Sequence, residues 1–293
     1  MRRFVYLLVF ALIVAGFFWM RGAWDAGLGL QTGFSRHSGA RLVSLSPAIT
    51  EVITVLGEGQ QLVGISDFCA APSDSPPPRV GTSLSPNYED LARLAPDMIL
   101  TQQVRNAPID AIGRIAPFQE LPWLSVTELS NSIRRIGMTC GQPAAAEELA
   151  TRIETTLDVR FPRGGPEVLF VLAHTPGQLS DVIYVRDDSI HGHALRAAGA
   201  RNAQPATPTG VPQMSIEAVL SANPAGIVIL SLHSASSAEA EALMADWREL
   251  TPLAAVQQDR IAVIDGRAFS TGPAILEVVD DLRATVESWT TGP

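Results

Sequence analysis

Lysine is absent from this chain of 293 residues: all 21 basic residues are arginine. That reads as a base-composition bias of the genome, not as chemistry. Cysteine is almost absent, and the only two, Cys69 and Cys140, are too few for a disulfide framework. In an oxidising compartment one bridge is open to them; two unpaired thiols is the equal alternative. A basic surface is also lacking. The net charge is −9, the pI is near 5.0 and the arginines are scattered, which excludes a nucleic-acid partner. No His-Glu-x-x-His, Gly-x-Ser-x-Gly, P-loop or Gly-x-Gly-x-x-Gly pattern occurs, so the sequence does not read as an enzyme and implies no catalytic cofactor.

What is present begins with ordinary globular composition, 46% hydrophobic and 17% charged, at a length that suits two domains. Arg2-Arg3 precede an unbroken apolar run from Phe4 to Met20, closed by Arg21. As a helix this run is about 25 Å long, inside the range that spans a bilayer. The leading arginines place the remainder of the chain outside the inner membrane. Small residues at the −3 and −1 positions of a cleavage site are missing: Arg21 and Trp24 fall where they are needed. No cysteine follows the run, which excludes a lipid anchor. Residues 1–22 are therefore expected to be an uncleaved signal anchor, a cleaved signal being the alternative, and residues 23–40 a Gly-rich linker.

Beyond Arg41, strands alternate with helices. Leu42–Leu45 predicts a strand, Ser46-Pro47 a capped helix start running to Gly57, and Gln61–Ile65 a second strand. Ser85-Pro86 opens another helix, and Met98–Leu100 is the next strand. Such alternation indicates a parallel sheet covered on both faces. Residues 41–125 form the expected N-terminal α/β lobe. Residues 126–163 read as connecting helices interrupted at Gly141 and Pro143. Residues 164–293 form a second α/β lobe, with strands at 168–172, 182–185, 227–230 and 261–264 and helices at 191–198, 214–222, 238–250 and 274–289.

One unit occurs twice. Glu89 to Pro96 is followed by Asp97-Met98-Ile99-Leu100, and Glu217 to Pro224 by an aliphatic run, Ile227 to Leu230. Each copy places Glu in a first helical turn, Pro seven residues later and a strand just beyond. Two copies flanking the connecting helices predict two lobes of one design.

The stretch Arg41-Leu-Val-Ser-Leu-Ser-Pro-Ala-Ile-Thr-Glu51, with Leu56-Gly57, Leu62-Val-Gly-Ile65, Pro78-Arg-Val-Gly81, Pro86-Asn-Tyr-Glu89 and Leu94-Ala-Pro-Asp97, closely resembles the periplasmic binding proteins for vitamin B12, ferric siderophores and haem. It is most similar to the vitamin B12 binders. The resemblance covers about residues 41–290 and is looser in the second half. It implies an α/β fold of two Rossmann-like lobes bridged by a rigid long helix, and a monomer that carries a small molecule to an ABC permease and its ATPase. It implies also that Glu89 and Glu217 engage arginines of that permease; carboxylates at helix starts suit such contacts.

Ligand contacts in such sheets come from loops at the carboxyl ends of strands. The expected residues are Ser46, Pro47, Phe68, Cys69, Ser83, Gln102 and Arg105 in the first lobe, and His174, Gln213, His233 and Phe269 in the second. Phe68 stands where the vitamin B12 binders carry an aromatic. Ser83, Gln102 and Gln213 fall near places where those binders carry tryptophan. Of the arginines that siderophore binders use, Arg105 and Arg267 remain, while the family's Arg-Pro-Gly-Pro-Arg run is Ser270-Thr-Gly-Pro-Ala274 here. Cobalamin, another corrinoid or a ferric chelate is the expected ligand. Haem or a metal ion held by His174, His191 and His233 is the alternative, as is a membrane-tethered sensing module of the same fold.

Overall fold

The first sheet is built on Leu42–Ser44 (β1), Leu62–Ile65 (β2), Met98–Gln102 (β3) and Phe118–Leu121 (β4). In the computed structural model these strands are all parallel, in the order β2-β1-β3-β4. The structure describes residues 39–70, 72, 76–159, 164–204, 210–231, 236–264 and 271–290. The apolar run at 4–20, most of the linker, His233, Arg267 and Phe269 lie outside the described residues. Among the described residues no helix is long and apolar enough to cross a membrane.

Helix α1 (Pro47–Val55) follows β1 directly, with proline in its first turn as the sequence predicts. The expected Ser46 cap does not form: its hydroxyl is buried and makes no hydrogen bond, while Ser44 Oγ donates to the Ser46 carbonyl at 3.0 Å. Helices α2 (Tyr88–Leu94) and α3 (Ile109–Gly113) complete this half. Next come α4 (Val126–Cys140) and α5 (Pro143–Leu157), separated where Gly141 takes a φ of 78°. These two helices pack so closely that a Cβ on Gly137 would lie 2.1 Å from the Ala146 Cβ. Arg134 on α4 forks onto both Glu147 and Glu154 of α5, at 2.7–3.0 Å.

The second sheet contains Glu167–Leu172 (β5), Arg201–Asn202 (β7), Gly226–Leu230 (β9) and Ile261–Ile264 (β10), parallel in the order β10-β9-β5-β7. A short antiparallel pair, Val182–Ile183 (β6) and Gln213–Met214 (β8), stands apart. Here the sequence expectations shift: strand 182–185 shortens to two residues, and Met214 belongs to a strand rather than to the helix that follows. The helices are α6 (Ile190–Ala197), α7 (Ile216–Ala222), α8 (Ser237–Arg248), α9 (Ala254–Gln257) and α10 (Ile275–Thr290).

Alternation along the strands fills both faces of each sheet. Val168, Phe170, Val228 and Leu230 point to one buried cluster, and Leu169, Val171, Ile227 and Ile229 to another. The first cluster continues through α5 and α4 to Leu42, Ile49, Val52 and Leu100 beside the first sheet, so one apolar core joins the two halves.

The repeated unit is a structural repeat. Both α2 and α7 have seven residues, begin at a side-chain cap (Asn87, Ser215), and end at a left-handed residue with φ 44° (Ala95, Asn223). The next strand then pairs alike: Leu42 with Met98, and Val168 with Gly226.

Candidate functional site

A side-chain hydrogen bond joins the carboxyl end of the first sheet to the segment that follows β10 in the second. The Trp123 indole, just after β4, donates from Nε1 to the Thr271 carbonyl at 2.9 Å, in the segment that leads from β10 into α10.

On the first sheet, the loop after β2 is shaped by Arg79. Its guanidinium donates to the carbonyls of Ser66 (2.9 Å), Asp67 (2.6 Å) and Cys69 (3.1 Å), and Asp67 N–H donates to Gly81 at 2.9 Å. With its backbone held inward at three points, the loop turns Phe68 out until 76% of it is exposed. The adjoining turn requires Gly81, at φ 82°, because a Cβ there would meet the Ser85 carbonyl at 2.4 Å. That turn presents Leu84, 56% exposed, and the residue after Trp123, Leu124, is 84% exposed. In the second half Val211, before β8, is 68% exposed; the register sets it level with Val185 and Phe170, below the carboxyl edge. Three large apolar side chains, Phe68, Leu84 and Leu124, standing in water at the carboxyl edge of the first sheet are more than scattered surface hydrophobics.

The predicted residues divide by placement. Phe68, Arg105 and Gln213 are exposed, and Pro47, Ser83, Gln102 and His174 are half-buried. Ser46 and Cys69 lie beneath the edge: both are buried, and the Cys69 thiol sits 3.1 Å from Thr50 Oγ1 and 3.2 Å from Ser66 Oγ. His233 and Phe269 lie outside the described residues. Both cysteines are free and buried. Burial, with the Glu58 carboxylate adding to it, pushes the Cys140 thiol up to about 12.

His174 and His191 pack on different sides of the second sheet. His174 Nε2 is 2.7 Å from Asp246 Oδ2 on α8, an oxygen that also accepts from Gly177 N–H at 2.7 Å, and its ring sits edge-on to Trp247. His191 is buried on α6, edge-on to Phe170 at 6.2 Å. Of the expected metal set His174, His191 and His233, the first two are engaged on different clusters of the second half, and His233 lies outside the described residues. Among the described residues no group of three or more His, Cys, Asp or Glu side chains could hold a metal ion.

Glu89 and Glu217 both project from first turns, exposed, on the matching helices α2 and α7. The Ser215 hydroxyl beside Glu217, with its own backbone N–H, holds that carboxyl below the usual carboxylate range.

A family model described as periplasmic binding protein matches residues 42–268, which includes both sheets. The chain belongs to the periplasmic binding protein family. Within and around it, an ABC transporter substrate-binding lipoprotein, YvrC of Bacillus subtilis (strain 168), is 25% identical over 260 residues, 84% of this chain and 79% of that protein. A vitamin B12-binding protein of Pectobacterium carotovorum is 25% identical over 198 residues, 64% of this chain and 70% of its own length. Among solved structures, a periplasmic haem-binding protein of Pseudomonas aeruginosa superposes with a TM-score of 0.69 at 22% identity, covering 87% of this chain and 94% of that one. Its likeness is one of fold. Membership accounts for the α/β architecture and the parallel sheets, and these family relatives are binding proteins, not enzymes.

Leu124 escaped the sequence reading because β4 did. Phe118-Gln-Glu-Leu121 is an edge strand of mixed polarity, and only the Pro122-Trp123-Leu124 run before the Ser125 cap hinted at an apolar surface there.

Proposed function

We propose that this chain is the extracytoplasmic substrate-binding component of an ABC importer, capturing a cobalamin, another corrinoid or a ferric chelate between two α/β lobes. The observation that carries this reading is the apolar rim of Phe68, Leu84 and Leu124 at the carboxyl edge of the first sheet, where Trp123 bonds to the second half. A ligand with a broad, weakly polar envelope removes that surface from water, at about 25 cal/mol per Å². Gln102 and Gln213 supply hydrogen bonds, and Arg105 a charge for carboxylate or phosphate groups. The lobes are residues 41–125 and 164–293, bridged by α4 and α5. A ligand that needs a protein histidine on its iron is less well served, since His174 and His191 are engaged elsewhere.

Delivery follows from the repeat. Glu89 and Glu217 stand at the same place in each copy, so the pair presents one carboxylate per lobe to arginines of the permease. The N-terminal apolar run holds the protein at the outer face of the inner membrane. Titration calorimetry of the full chain in detergent with cyanocobalamin, cobinamide, ferric desferrioxamine and haemin tests the reading. One of the first three binding at 1:1 stoichiometry supports it; haemin alone binding transfers the site to an iron ligand, and no binding removes it.

A further inference from the structure

Two hydrogen bonds from the first half converge on one short strap of the second. The Trp123 indole donates to the Thr271 carbonyl, and the Glu51 carboxylate on α1 accepts from the Ala274 N–H. Between these anchor points Gly272 and Pro273 are buried. The strap also starts α10: Ile275 N–H bonds back to Gly272 O and Leu276 N–H to Pro273 O, both at 3.1 Å. Ala274 N–H is among the amides that a helix start leaves without an intrahelical partner. A cap normally comes from the residue just before the helix. Here it comes from 223 positions away, on the opposite lobe. The carboxylate also sits at the positive end of the α10 dipole, where an anion is stabilised.

We propose that Trp123 and Glu51 are positioning residues: through the 271–274 strap they fix the separation of the two lobes, and with it the aperture between them. Neither needs to touch the ligand. Trp123 is buried directly beside the exposed Leu124, so the strap's anchor and the rim share one stretch of backbone. On its other flank, Pro273 and Ala274 line a groove of about 530 Å³ with Val55 of α1, Arg152 of α5 and Arg283 of α10. Opening the lobes by any larger rotation requires both hydrogen bonds to break, because each ends on the same four residues.

Removal of the acceptor in Glu51→Ala and of the donor in Trp123→Phe, which keeps most of the ring, tests the latch in the full chain. Hydrogen exchange at the Ala274 amide should quicken about tenfold in Glu51→Ala, the range for a lost hydrogen bond to a charged group, and return toward wild type in Glu51→Gln, which restores an oxygen acceptor. Spin labels on Glu89→Cys and Glu217→Cys, both exposed while the native thiols are buried, report the lobe separation. The latch predicts a distance distribution about twice as broad in the double variant, with exchange in the strands β1 and β5 unchanged. An unaltered distribution with unaltered Ala274 exchange overturns it. Faster exchange in β1 and β5 as well shows a general structural role and also overturns it. The aperture's effect on ligand rests on the cleft reading above. A tenfold faster ligand release in the double variant would support both, while the distance measurement decides the latch even if no tested ligand binds.

Discussion

Replacing Gly137 by alanine sets two effects of opposite sign against each other. In the middle of a helix the substitution favours folding by about 1 kcal/mol, from helix propensity alone. In this protein the added Cβ would lie 2.1 Å from the Ala146 Cβ and 3.0 Å from the Gln142 carbonyl. Carbon atoms rest at about 3.5–4.0 Å, so α4 and α5 must separate or shift. Overpacking of this kind costs about 1–3 kcal/mol, and so deep an overlap belongs at the upper end. The net expectation is destabilisation by about 1–2 kcal/mol, which lowers Tm by about 2–4 °C for a chain of this size. Differential scanning fluorimetry and urea titration read it directly. Ala146→Gly in the same background removes the colliding methyl, so the double variant should recover about 1–2 kcal/mol relative to the sum of the single changes. A Gly137→Ala variant that is more stable than wild type would refute the close packing of the two bridging helices.

Three further outcomes follow. Charge reversal at Glu89 and Glu217 should abolish ligand uptake in cells while calorimetric affinity stays within about twofold; loss of affinity instead would place these carboxylates in the ligand site. Arg134 holds the Glu147 and Glu154 carboxyls below their ordinary value of 4.5. A depressed folded-state value contributes stability above about pH 4.5 that is lost as the pH falls through the folded value, so the urea midpoint of Arg134→Met should decline less steeply than wild type below that pH. Cys140, buried and pushed up to about 12, should not react with a thiol reagent at pH 8 in the native protein. Both thiols should react after unfolding, and rapid native reaction of Cys140 would contradict its burial.

The fold was legible where local signals agreed with the global arrangement. Ser85-Pro86, the Glu–Pro–strand unit and Gly141-Gln142-Pro143 each mark an element boundary by backbone chemistry, and the structure keeps each of those boundaries within a few residues. Weak edge strands were not legible. β4 carries Gln and Glu at its centre, and β7 has two residues, so neither has the apolar run by which β5 and β9 were read. Ser46 shows why a cap motif can mislead. Its side chain has the right type and place, but packing beneath the edge buries the hydroxyl away from the amides it could cap. The candidate site was partly legible as placement: Phe68 was singled out by its resemblance to an aromatic position and Glu89 and Glu217 by the repeat and the resemblance, and all three side chains are exposed. The roles of Arg79, Trp123 and Glu51 depend on partners 10 to 223 positions distant, which no local pattern encodes. A loop histidine after a strand looks alike in sequence whether it faces a ligand or, as His174 does, an aspartate on the helix behind it.

The central claim is that ligand enters between the two lobes and covers the apolar rim. Calorimetric titration of Phe68→Ser and Leu124→Ser with whichever corrinoid or ferric chelate binds the wild type tests it most directly. Each change removes roughly 80–100 Å² of apolar contact, or about 2 kcal/mol, and should weaken Kd by roughly thirtyfold without lowering Tm, because both side chains stand in solvent. Unchanged affinity in both variants would contradict the account and put the ligand elsewhere on the protein.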